Sequence, residues 1–216
     1  MNRHPQWWVV TVAAAAWIAL AATGTHAGHH APSSYTAWIL MSVATAVPMT
    51  LPAVRHVYHN SIRVRRQRAT VVYLVAYTMV WAAFGAAVLG LAALLPLHIV
   101  APPAIAVTLL IVAGVWQLTR TKTRALHACR RTVSLPPQGR RADVACARFG
   151  LMQGRRCLVS CWPLMLLMAL VPMHLAAMVV LAAFMYAEER TRLGREMVRQ
   201  ASALLAVAAI GVAAFT

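Results

Sequence analysis

Apolar positions in this chain come in continuous blocks, at about 7–23, 37–57, 70–95, 104–119, 157–171, 173–187 and 201–216, with most polar residues gathered between them. Blocks of this kind suit helices crossing a hydrocarbon core of roughly 30 Å, whereas a transmembrane barrel would alternate over strands of about ten residues. The pattern predicts an all-α fold: a polytopic transmembrane helical bundle of about six to seven helices in a single domain. Pro48 and Pro52 interrupt the second block and predict a kink there, because each removes a backbone donor.

From Cys157 to Tyr186 no side chain is charged, and Pro172 divides the stretch. One long tilted helix would carry Arg190, Arg192, Arg195 and Arg199 to the far side of the bilayer. A short helical hairpin at 157–187 returns them to the side they left, and that reading is preferred. The connection 120–156 reads as a long basic loop with short surface helices around 122–131 and 142–153, interrupted by Pro136, Pro137 and Gly139.

Charge fixes the orientation. Of the 216 residues 61% are hydrophobic, and twenty Lys and Arg face only four Asp and Glu. In a soluble chain that excess would suggest nucleic acid, but no basic stretch is interleaved with stacking aromatics, so no nucleic-acid partner is expected. The basic residues collect in 55–68, 120–156 and 190–199, while 25–36 and 96–103 contain none. This is the positive-inside pattern, which predicts a multi-pass protein of the bacterial inner membrane with its amino terminus in the cytoplasm and the lipid bilayer as its first partner. The first block resembles a secretory signal, but Trp7 and Trp8 suit an interfacial belt and retention keeps every later loop in register.

Cys157, Cys161, Met165 and Met168 are spaced four, four and three, which places them on one helical face within an arc of about 80°. His174, Met178 and Met185 make a second stripe beyond the break. Thiolate, thioether and imidazole together suit a copper ion, Cu(I), with zinc less favoured. Cys129 and the nearby His127 lie on the same side as the start of the Cys157 helix and could complete a site, while Cys146 reads as a bystander. The outer cluster His26, His29 and His30 could capture a cation. Glu188 and Glu189 are expected to pair with Arg192 or Arg155. No nucleophile with a base, acid–base pair or phosphate-cradling glycine loop occurs, so no enzymatic activity is expected.

Several stretches together resemble a bacterial family of uncharacterised proteins described as predicted metal-binding integral membrane proteins. They are Trp38 to Met41 with Pro48 and Pro52, Tyr77 to Gly85, Gly114 to Thr119 with Lys122 and Cys129, Gly154 to Met165, Met173, and Glu188 to Arg190. The resemblance covers about 38–190 and implies metal ligation by Cys157, Cys161 and Cys129, with Met165, Met173 and His174 as a path across the bilayer. The resemblance is that of a divergent member. Ala125, Ala128 and Ser160 stand where the family pattern usually has cysteine, and His174 where it has asparagine. The expected function is binding or passing a soft transition metal, copper first. Two other roles compete: an accessory subunit of a larger membrane complex such as a metal-dependent oxidase, and a small-solute transporter. The transporter lacks the embedded charges that usually mark a substrate path.

Overall fold

Prolines, close-packed glycines and one buried ion pair decide how the helices of this chain meet. The computed structural model describes residues 7–24, 35–94, 102–170, 175–190 and 202–203, and every regular element among them is helical. In order these are α1 (Trp7–Gly24), α2 (Tyr35–Ala46), α3 (Leu51–Asn60), α4 (Arg66–Leu94), α5 (Pro102–Gln117), α6 (Arg120–Cys129), α7 (Arg140–Leu170) and α8 (Leu175–Arg190). By length and apolar composition Tyr35–Asn60 and Arg63–Leu94 can each cross a membrane, and the pair Ala104–Gln117 and Arg120–Cys129, bent by 70°, would make a third. Trp7–Ala22 is apolar but shorter.

The kink expected in the second block is a single 3-10 turn, Pro48–Thr50, between α2 and α3. Pro48 cannot donate to the helical ladder, and the Thr50 amide bonds Val47 O at 3.0 Å instead of reaching back to Ala46. Ala46 O is thereby freed, and the Tyr77 hydroxyl of α4 lies 3.2 Å from it. Packing between α2 and α4 is equally close further along. Trp38 donates its indole N–H to Trp81 O at 2.9 Å, and a Cβ on Gly85 would collide with the Trp38 ring.

Helix α7 starts at Arg140, not at Cys157: the helices expected around 122–131 and 142–153 are α6 and the first half of α7, and the latter continues unbroken into the Cys157 segment as one 31-residue helix. The unstructured part is confined to about 130–139, where Gly139 has φ 84°. Hydropathy marks where a helix becomes apolar, not where it begins, and nothing between 142 and 162 breaks it. Gly150 and Gly154, one turn apart, also give this half a reason to persist. A Cβ on Gly150 would collide with Tyr73 O, and one on Gly154 would lie 3.0 Å from Tyr77 O, so α7 and α4 touch backbone to backbone. Pro163 sits inside α7 and leaves Val159 O without its ladder donor. The Trp116 indole of α5 fills the gap at 3.0 Å, and its ring packs on Trp162.

Both arms of the hairpin expected at 157–187 are among the described residues, and its turn at 171–174 lies outside them. α7 ends at Leu170, α8 opens at Leu175, and the far end of α8 returns to the level of α6. There Lys122 Nζ meets Glu188 Oε2 at 2.8 Å, with both side chains nearly inaccessible, and also donates to Gln117. This corrects the expected pairing of Glu188. Arg155 points to the surface on another face, and Arg192 lies outside the described residues. Arg130 donates to Glu189 O at 2.9 Å and Glu188 O at 3.1 Å, capping α8. The closing block 201–216 also lies almost wholly outside the described residues.

Candidate metal centre

Four residues per step along α7 is slightly more than one helical turn, so Cys157, Cys161 and Met165 stack on one face, with Met168 just beyond. All four are buried, with exposures of 2, 6, 1 and 0%. The Cys157 and Cys161 sulfurs are 3.9 Å apart. Cys161 Sγ also lies 2.9 Å from Cys157 O, to which its thiol donates.

The opposite wall comes from the break between α2 and α3. Its 3-10 turn presents Met49, whose Sδ lies 4.0 Å from Cys157 Sγ. Tyr77 Oη lies 3.1 Å from the same sulfur and 3.2 Å from Ala46 O. A phenol has one proton to give, so Tyr77 donates to Ala46 O or to Cys157 Sγ, one at a time. Once Cys157 is a thiolate, the phenol can donate to sulfur instead. Further along, Thr45 donates to Met41 O at 2.8 Å and sits 3.7 Å from Met165 Sδ. Met41, Met168, Met178 and Met185 belong to the same buried core.

Cys129 belongs to this core too, at the end of α6. Gln153, one turn before Cys157 on α7, donates to Cys129 O at 2.6 Å, and Arg156 donates to Ala128 O at 2.9 Å. These two caps hold the thiol of Cys129 on the basic side of the Cys157–Cys161 pair. Burial pushes the Glu189 carboxyl up to about 7.

The remaining expected ligands separate. His127 is exposed on α6, apart from the buried thiols, because its side chain falls on the outer face of a helix whose inner face carries Ala125 and Cys129. Cys146 is buried in a second core beside Tyr73 and Phe149. Met173, His174, His26, His29 and His30 lie outside the described residues. Among the described residues no three His, Cys, Asp or Glu side chains converge as a metal site. The convergence is instead of sulfurs, two thiols and one thioether, a donor set for a soft monovalent ion. Met49 and Tyr77 have no spacing relation to Cys157 in the sequence. The only signal for Met49 was its place beside Pro48, where a helix break exposes a turn.

No curated protein and no solved structure matches the chain. Residues 35–212 match a family described as a copper chaperone, PpoB2, and that span contains every element of the sulfur cluster. The chain belongs to the PpoB2 copper chaperone family.

Proposed function

We propose that this chain is a membrane-embedded copper chaperone that takes up Cu(I) between Cys157 Sγ, Cys161 Sγ and Met49 Sδ. One observation carries the reading. A metal–thiolate bond is about 2.3 Å long, so three sulfurs around a trigonal ion stand about 4.0 Å apart. The two measured edges are 3.9 and 4.0 Å. Uptake exchanges two thiol protons for one copper ion and leaves a single negative charge among the three sulfurs. Tyr77 then turns its proton toward Cys157, as outer-shell partners of metal ligands do. Cys129, at the basic end of the same core, is the receiving thiol. Met165, Met168 and Met41 offer weaker thioether contacts beyond the pair. The chemistry is carriage of the ion, not conversion of a substrate.

The bilayer reading rests on Tyr35–Asn60 and Arg63–Leu94, which have the length and hydropathy of spans. α4 also leaves Val71, Val75, Met79 and Leu91 exposed, a face that lipid would cover. The charge pattern supports a reading in which the α6 end faces the cytoplasm of an inner membrane. Replacing both thiols, Cys157→Ser with Cys161→Ser, is expected to abolish copper bound by the purified protein, measured by elemental analysis. Unchanged stoichiometry would remove the site. Reporter fusions within 190–199 are expected to report a cytoplasmic location.

A further inference from the structure

Between α6 and α7, on the outer side of the bundle, runs a groove of about 590 Å³. Arg124 of α6 and Arg148, Arg155 and Arg156 of α7 line it, and no acidic side chain does. Arg156 is engaged with Ala128 O. The other three are exposed, and none forms an ion pair among the described residues. Concentrating guanidinium groups without a counter-charge is unfavourable unless an anion completes the set.

The groove does not feed the metal centre. Each residue turns an α-helix by about 100°, so Arg155 and Cys157, two apart, face nearly opposite ways. Arg148, Leu151, Arg155 and Val159 follow one another on one face of α7, so Leu151 lies between the two arginines and Val159 continues the groove one turn beyond them into the apolar half. A ligand matching this surface has a phosphate at one end and hydrocarbon at the other.

We infer that this groove is a binding site for an anionic phospholipid, with the phosphate held by Arg124, Arg148 and Arg155 and an acyl chain leaving past Val159. The inference rests on the bilayer reading above. Each basic residue near a headgroup contributes on the order of 1 kcal/mol, so removing two is expected to weaken binding roughly 30-fold.

The test is native mass spectrometry of the full chain in detergent, titrated with phosphatidylglycerol, cardiolipin or phosphatidylcholine. The wild type is expected to prefer the anionic lipids, and Arg148→Gln with Arg155→Gln to lose that preference while retaining the wild-type copper stoichiometry. Should that pair of substitutions unfold the chain, Arg124→Gln on α6 carries the same test with a smaller loss. Equal binding of phosphatidylcholine, or an undiminished preference in the variants, would overturn the inference. Displacement of the lipid by inorganic phosphate alone would overturn it in favour of a free phosphoanion. Recovery of the chain without detergent would instead fail the bilayer reading, so the two failures are distinguishable.

Discussion

Met49→Leu separates a ligand from a core residue. Met49 is 4% exposed and packs in the turn between α2 and α3, with its Sδ 4.0 Å from Cys157 Sγ. Leucine has nearly the same volume and no sulfur, so the fold should lose less than about 1.5 kcal/mol. The effect on copper is larger. Deleting only an outer-shell partner of a metal ligand weakens binding about 10–100-fold, which sets a floor for deleting a bonded sulfur. We expect Cu(I) affinity to fall at least about tenfold, or about 1.4 kcal/mol, in anaerobic competition against a chromophoric Cu(I) chelator. X-ray absorption on the loaded variant should find two sulfurs where the wild type has three. An affinity equal to the wild type, with three sulfurs still coordinated, would refute the trigonal site while leaving the thiol pair to be judged by its own substitution.

Three more substitutions test the surroundings of the centre. Tyr77→Phe leaves the buried Ala46 carbonyl without its donor and should cost about 1–3 kcal/mol in denaturant unfolding; an unchanged midpoint would mean that the hydroxyl does not secure the helix break. Lys122→Ala strands Glu188, which is 5% exposed, and should cost about 3–5 kcal/mol, whereas Lys122→Met with Glu188→Met should recover most of it; equal losses would deny that the stranded charge is the cause. Glu189 has its folded pKa raised to about 7 from 4.5, so its neutral form is favoured in the fold. Its contribution to stability is therefore fully present below 4.5 and lost as pH rises through 7. Glu189→Gln should flatten the thermal-stability profile across that window, and an identical slope in both proteins would refute the assignment.

The all-α class, the break at Pro48 and the return of the chain after Leu170 were legible because each is written in local features: apolar runs, a missing backbone donor, a proline between two charge-free arms. The Cys157, Cys161, Met165 and Met168 face was legible for the same reason, since helical periodicity alone aligns it. Met49 was not. It meets Cys157 across 108 positions, through a turn whose direction is set by Tyr77 and the α4–α7 contact. Gly150 and Gly154 draw those two helices together, and their role emerges only when Tyr73 and Tyr77 lie opposite. What was obscured is that the helix expected around 142–153 and the one expected from Cys157 are a single element, because the change from basic to apolar composition reads as a boundary. The Lys122–Glu188 pair was not legible, because nothing local shows that α6 and α8 close on each other across 66 positions.

Pro163 leaves α7 one rung short at Val159, a carbonyl that lies between the two cysteines in the chain and is served sideways by Trp116. The softest spot of the helix thus coincides with its clasp. Spreading or closing the sulfur pair can bend α7 there without tearing another backbone bond, and any such bend tugs on α5 through the tryptophan. Compliance of that kind is what a carrier needs at its grip: firm enough to hold a cargo, loose enough to let it go.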